Sequence, residues 1–449
     1  MLNGPIAGKL VRFALPLAAA GILQQLFNST DVAVVGRFDS TTAQAAVGAS
    51  GPLINLMVTL FTGISLGLNV CVASLIGSGE RKRIEPAEHT GIMLSLVCGL
   101  ITIALGEALA DPLLRIMSTP ESVIGDAVIY LRIFFVAIAF QLVYDFAASV
   151  LRGSGDSSRP MYVLAVSSVI NLVFDLLLVA GVGMGIAGAA IATVIANAFS
   201  AGAVLLMLAR DTGDIHFSPH ALRIERRYLR TILSVGLPAG LQGAIFSVSN
   251  MIIQAGINAF GPEVIDGNAA ALSFEYLTYY VVYAFAQGAT TFTSANFSAR
   301  DPARCRRVYR AGMLLGIGLS SALAVTIAVF RSSLVLIFTS DPGVIPYAEL
   351  RILFVTMLNG ISGTYEVPGG CLRGMRHSTV PTVITAIGSC VVRILWVWVV
   401  MPLTGMTTYL DLVIIFPLSW AGMGVAMNII YFKIRREEFA HMAQTAVAA

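Results

Sequence analysis

Asp31 shares an apolar stretch with Gln24 and Asn28, at spacings of four and three, so the three side chains fall on one face of a helix. Asn171 and Asp175 stand four apart in a second apolar stretch, and Thr193 and Asn197 four apart in a third. A carboxylate inside a membrane span costs about 3 kcal/mol by the lower estimates, so its presence there points to function. Carboxylate, amide and hydroxyl oxygens brought together can replace the water shell of Na⁺, or they can hold H⁺. Two acids held close in a low dielectric do not both stay charged cheaply. The plain alternative, that each polar group hydrogen-bonds a neighbouring helix, applies most readily to Asn28, Thr193 and Asn197. The polar side chains of these three stretches, Gln24, Asn28, Asp31, Asn171, Asp175, Thr193 and Asn197, are expected to converge where an ion could be coupled.

A second group of charges lies further along: Glu275, Glu366 and Arg393. A lone buried guanidinium is costly, so Arg393 is expected to pair with Glu366 or Glu275. A static ion pair and a part in transport are equally good readings of that cluster. Asp145 is read as a solvated or Arg-paired group, and Arg132 and Arg351 as packing or snorkelling residues. Tyr276, Tyr279, Tyr280 and Tyr283 follow one another at helical spacing. They are candidates to line a substrate site, although such a stripe more often packs a core. Pro16 and Pro238 lie inside apolar stretches and each favours a kink. A bend at Pro16 would move Asp31 when the charge near it changes, which makes Pro16 the candidate hinge.

The elements that must place these residues are membrane helices. Hydrophobic residues make up 57% of the chain and charged residues 12%, about half the charge of a soluble domain. A span needs about 20 apolar residues. By that rule twelve helices are expected, over 12–37, 46–76, 89–110, 123–148, 161–181, 187–209, 231–258, 268–297, 309–330, 344–371, 380–402 and 409–432. Most of the 28 lysines and arginines cluster at Lys9 and Arg12, at 81–83, at Arg152 and Arg159, along 210–230, along 300–310, at Arg373 and Arg376, and at 433–436. The positive-inside rule puts those segments, and both termini, in the cytoplasm. Lys9 and Arg12 precede an apolar run too long for a signal peptide, so it is expected to remain as the first span.

The chain also repeats itself. Leu151-Arg152-Gly153 recurs as Leu372-Arg373-Gly374, an offset of 221. Gly67 recurs as Gly288 and Tyr144-Asp145 as Tyr365-Glu366 at the same offset, and Pro16 as Pro238 at 222. Six helices per half is an even number, so both halves point the same way. The expected fold is all-α: two six-helix bundles related by a pseudo-two-fold axis along the membrane normal. Residues 1–209 would form an N-lobe and 231–449 a C-lobe, with 210–230 a cytoplasmic tether along the membrane surface that has no core of its own. The ion-site residues are not repeated: Asn171 aligns with Val392, Asp175 with Trp396 and Asp31 with Ile253.

Other chemistry finds little support. Five scattered cysteines form no CxxC pair and read as packing residues. His216, His220 and His377 fall in polar loops, and no HExxH occurs. No catalytic residue, no cofactor, no nucleic-acid partner and no metal beyond Na⁺ is expected. The partners are lipid and small organic substrates, and the protein is expected to be a monomer.

Gln24-Gln25-Leu26-Phe27-Asn28 with Asp31 and Val35-Gly36-Arg37 resembles the first helix of prokaryotic multidrug and toxic compound extrusion (MATE) transporters. Leu151-Arg152-Gly153-Ser154-Gly155-Asp156 with Pro160 is similar to that family's loop after helix four, and Arg373-Gly374 with Pro381 to its echo. The resemblance runs from about Leu10 to Arg436. It implies two bundles in a V around a cavity, and export of organic, often cationic, compounds driven by H⁺ or Na⁺ through the plasma (inner) membrane of a prokaryote. It also implies an ion site of one aspartate on helix one, an Asn-x-x-x-Asp pair on helix five and a threonine on helix six, matching Asp31, Asn171, Asp175 and Thr193. The chain departs from the family's other acidic pattern: helix seven has no acid, only Gln242, Asn250, Gln254 and Asn258. A lipid-linked saccharide or lipid flippase of the same superfamily is the alternative reading.

Overall fold

Lipid offers no hydrogen-bond partner to an open backbone, so a chain this apolar satisfies its amides within helices. The computed structural model describes residues 1–449 except Ser118, Thr212, Asp214 and Ala449, and leaves out the side chains of Asn28, Val32, Thr41 and 445–448. Nine helices lead: α1 (Ile6–Phe38), α2 (Thr41–Gly77), α3 (Ile84–Ile116), α4 (Glu121–Ser154), α5 (Ser158–Asp175), α6 (Gly185–Ala209), α7 (Arg226–Asn258), α8 (Pro262–Ser298) and α9 (Pro302–Val329). Shorter pieces follow: α10 (Arg331–Val335), α11 (Ile345–Arg351), α12 (Gly363–Gly374), α13 (Thr379–Thr385), α14 (Val392–Leu395), α15 (Met401–Thr404) and α16 (Tyr409–Val413), before the long α17 (Ile415–Ala448). Among the described residues, ten helical runs are long and apolar enough to cross a membrane. α8 is long enough at 37 residues, but Asn268, Glu275 and Gln287 interrupt its apolar surface.

The tenth expected span, 344–371, is not one helix. α11 ends at Arg351, a π-helical turn covers Ile352–Thr356, a 3₁₀ turn covers Asn359–Ser362, and α12 resumes at Gly363. Asn359 and the two nearby glycines are poor helix formers. The Asn359 amide instead donates to Thr278 Oγ1 at 2.7 Å and to the Glu275 carbonyl at 3.2 Å. π-Helical turns also follow Asp175 (Leu176–Gly181) and flank Arg393 (Ala386–Val391 and Trp396–Val400).

Two compact units form. They cut the chain just beyond Pro16 and Pro238 rather than at the 210–230 linker: one holds Met1–Ala18 with Leu241–Ala449, the other Ala19–Gly240. In the second unit the first half of α7 lies backbone-to-backbone on α2. A Cβ on Gly67 would stand 2.0 Å from the Ile232 carbonyl oxygen, and one on Gly236 would stand 2.4 Å from that of Ile64. In the first unit the start of α1 covers the equivalent surface of α8. A Cβ on Gly288 would lie 2.7 Å from Leu10 Cδ1, and the Phe13 and Phe292 rings meet edge-on at 5.6 Å. The repeat persists down to single contacts: Gly153 approaches the Asn69 carbonyl, and Gly374 the Thr290 carbonyl, both 221 residues on.

The linker is docked, unlike the tether expected from the sequence. Ile215 and Phe217 are buried in the second unit's core with Ile84 and Ala87. The Phe217 ring stacks on His89 at 5.8 Å, and the Ser218 amide donates to His89 Nε2 at 3.0 Å. His89 is fully enclosed at the start of α3.

Candidate functional site

Asp31, Asn171, Asp175 and Thr193 converge in the second unit, none more than 2% exposed. α1 supplies Asp31 one to two turns before its end, α5 supplies Asn171 and Asp175 on one face, and α6 supplies Thr193 two turns after its start. The Thr193 hydroxyl lies 3.0 Å from Asp31 Oδ2 and 3.1 Å from the Ala189 carbonyl, so its single proton serves one of them at a time. Asp175 and Asn171 lie within interaction range of the Asp31 carboxyl. Even so, Asp31 Oδ1, both Asp175 oxygens and both Asn171 amide atoms are enclosed without closing a hydrogen bond. Four of those five atoms are oxygens. Buried oxygens left in that state cost free energy unless a proton or cation joins them. Chemically, such enclosed carboxylate, amide and hydroxyl oxygens can take up a proton or a small monovalent cation.

Tyr130 of α4, 2% exposed, stands within electrostatic range of both carboxylates. Nothing in the sequence separated it from an ordinary core aromatic. Of the supporting residues, Asn197 is half-buried and donates to the Ala137 carbonyl at 3.1 Å, which ties α6 to α4. Gln24 is half-buried two turns before Asp31, and the Asn28 side chain lies outside the described residues.

The charges of the other unit do not form the single cluster expected. Glu275 Oε2 pairs with Arg351, accepting from Nη2 at 2.8 Å and from Nε at 3.1 Å. Arg351 Nη1 also donates to Asn268 Oδ1 at 2.8 Å, and the Tyr409 hydroxyl reaches the same oxygen at 3.0 Å. Arg351 is thus a buried ion-pair partner and not the snorkelling residue expected. Arg393 is wholly enclosed and, among the described residues, forms no ion pair with Glu275 or Glu366. Its Nη1 donates to Asn250 Oδ1 at 3.1 Å, its Nε to Ser419 Oγ at 3.3 Å, and its guanidinium sits 4.5 Å from the centre of the Phe416 ring. That ring also carries Arg351 at 4.9 Å. Neutral acceptors and ring faces stand where an acid was expected. Glu366 stands apart on α12, two turns before Arg373. The Arg373 Nη2 is held 2.9 Å away by Gln242 Oε1.

The MatE family model matches this chain twice, over residues 16–177 and 238–399. The two matches are 222 residues apart, which is the internal repeat. The chain belongs to the MatE family. MatE proteins are transporters and not enzymes, and this one is an all-helical, multi-pass membrane protein. A probable multidrug resistance protein, YoeA of Bacillus subtilis, is 26% identical over 83% of this chain and 82% of its own length. A probable multidrug resistance protein, NorM of Thermotoga maritima, is 26% identical over 87% of this chain and 84% of its own. A crystal structure of MATE in the straight conformation superposes with a TM-score of 0.88 at 20% identity, over 99% of this chain and 98% of that one. The MATE resemblance read from the first helix and the two Leu-Arg-Gly loops therefore holds for the family and the fold. The MatE matches span Asp31, Asn171 and Asp175 but stop short of Thr193.

Proposed function

We propose that this MatE protein is a cation-coupled antiporter, driven by H⁺ or Na⁺, that exports organic cationic or amphiphilic compounds across the plasma (inner) membrane of a prokaryote by alternating access, with both termini in the cytoplasm. One observation carries the reading. Two carboxylates from α1 and α5 face each other in an enclosed site with most of their oxygens unpaired, and no lysine, arginine or histidine is bonded to them among the described residues. A purely structural polar contact would close its hydrogen bonds.

The site loads from outside in this scheme. A proton or Na⁺ at Asp31 and Asp175 cancels the repulsion between the carboxylates and lets α1 and α5 close on each other. Asn171 and Thr193 supply neutral oxygens that suit either ion. The π-helical turn directly after Asp175 gives α5 a place to change register without breaking its backbone bonds. Pro16 leaves α1 one backbone hydrogen bond short and serves as the hinge through which the change is passed on. Release of the ion inside restores the repulsion and resets the lobe. A membrane potential of 100 mV supplies about 2.3 kcal/mol for each proton carried inward. The names of the two relatives support export of drugs as the work done with that energy.

Proteoliposomes loaded with a fluorescent cation, with ΔpH and ΔNa⁺ imposed separately, test this directly. One gradient should drive transport, and Asp31→Asn and Asp175→Asn should each abolish the driven component while leaving expression intact. Indifference to both gradients would remove the antiporter reading, and wild-type transport in both variants would remove this site from it.

A further inference from the structure

Two neighbouring residues of α3 each accept a backbone amide from the linker. The Ser218 amide donates to His89 Nε2 at 3.0 Å, and the Glu225 amide donates to Thr90 Oγ1 at 3.1 Å. The Thr90 hydroxyl gives its own proton to the Pro86 carbonyl at 2.8 Å and accepts with a lone pair. His89 is held on its other side too, with Nδ1 2.8 Å from the Glu85 carbonyl. A carbonyl only accepts and a backbone amide only donates. The imidazole therefore carries its proton on Nδ1 and presents a bare Nε2 to Ser218. The two backbone partners fix one neutral tautomer, and the seating of the linker beside Phe217 depends on it.

A second proton would undo that seat. Nε2–H would then point at the Ser218 N–H, donor against donor, and the new charge would be enclosed at 1% exposure. The charged groups on the surrounding elements are turned elsewhere. Glu85 shares the helix face of His89 but is exposed, and Glu88, next in sequence, projects about 100° round the helix. On the linker, Asp211 is paired with Arg159 and Glu225 with Arg223, both at 2.6 Å, and His216 Nδ1 lies 3.4 Å from the Asp211 carbonyl. Before α3, Arg83 pairs with Glu80. Arg81 and Lys82 beside it, Arg152 at the end of α4 and Arg227 on α7 carry the same sign as an imidazolium. Thr90 does not titrate, so the second seat is indifferent to pH. We propose that His89 is a proton-operated latch on the 210–230 linker. Neutral, it seats residues 215–218 on α3; protonated, it lets them go while Glu225 stays on Thr90. The latch is distinct from the ion-coupling acids, and with the linker in the cytoplasm, as proposed above, it reads internal pH.

Hydrogen exchange on the whole protein in phosphatidylcholine nanodiscs tests this, with each amide rate divided by its free-peptide rate at the same pH. Nanodiscs bare both faces, so the outcome is independent of the proposed orientation and of the antiporter reading. Between about pH 8 and about pH 5 the protection of the Ser218 amide should fall about tenfold or more, while that of Glu225 holds. His89→Gln offers the amide an oxygen acceptor that takes no proton, and should keep Ser218 protected at both ends. If that variant fails to elute as a folded protein, His89→Met stands in; its thioether is a poor acceptor, so Ser218 should exchange freely at both ends. Glu88→Gln should respond as the wild type does. Wild-type protection that ignores pH overturns the latch, as does a response that survives in His89→Gln or His89→Met. A response that disappears in Glu88→Gln overturns it too, because the proton would then belong to the neighbouring acid.

Discussion

The Thr193 hydroxyl donates to Asp31 Oδ2 at 3.0 Å. Thr193→Val would strand Asp31 Oδ2 and remove one neutral oxygen, a loss of about 1–3 kcal/mol. Gradient-driven efflux is expected to fall about ten- to a hundred-fold, with Thr193→Ser near wild type; equal transport by the valine and wild-type proteins would rule out a role for that oxygen. The buried arginines behave differently from each other. Arg351→Met leaves Glu275 enclosed without its partner and is expected to cost about 3–5 kcal/mol, most of it recovered when Glu275→Gln is added. Arg393→Met strands no acid and should shift the melting temperature far less, a ranking that thermal unfolding in detergent measures directly. Spacing made the acids of α1 and α5 legible in the sequence, because a four-residue interval puts both polar groups on one face whatever surrounds them. Tyr130 and Arg351 were not legible. An aromatic in an apolar run reads as core, and a lone arginine in a span gives no hint that Glu275, on another helix, is in reach.

At the scale of elements, hydropathy located the spans because length and apolarity suffice for that. It missed the broken run before α12, where Asn359 gives up helical geometry for two bonds to α8 that no local signal announces. The linker departs from its polar composition for a related reason: two apolar residues among polar ones, Ile215 and Phe217, are enough to dock it on α3. Gly63 and Gly67 on α2 meet Gly236 and Gly240 on α7 at backbone distance, and a Cβ on Gly63 would stand 2.3 Å from Gly240 Cα. Such crossings hold because small residues let backbones touch. Gly63→Leu is therefore expected to cost more than the roughly 1–3 kcal/mol typical of overpacking, since backbone and not a side-chain tip stands in the way. Gly48→Leu, on the same helix with nothing within 4 Å of its added Cβ, is the matched control. A Gly63→Leu protein that melts with the Gly48→Leu protein would show that the crossing is looser than these distances imply.

For the molecule as a whole, the chain halves and the compact units are different things. The sequence divides at a polar linker, but the packing divides within α1 and α7, two residues beyond each proline. Each unit therefore borrows the first half of a helix from the other half of the chain. Pro16 and Pro238 explain why the exchange falls where it does. A helix that lacks a backbone hydrogen bond bends there at little further cost, so the segments on either side can pack in different surroundings. The borrowed segments are not trim. Residues 1–209 expressed alone would leave Gly63 and Gly67 without the α7 backbone that covers them, and would leave Leu10 and Phe13 without Gly288 and Phe292. Residues 210–449 alone would expose the complementary surfaces. Neither fragment should accumulate as a stable, monodisperse species in detergent. Co-expressed, the two should protect one another and restore part of the driven efflux, because the surfaces bared in each fragment are covered again when both chains insert in the same membrane. A fragment 1–209 that purifies as a well-behaved protein with a cooperative melt would show that the first half of α7 adds nothing to its unit. The exchange of helix segments would then be a detail of packing and not a condition for folding.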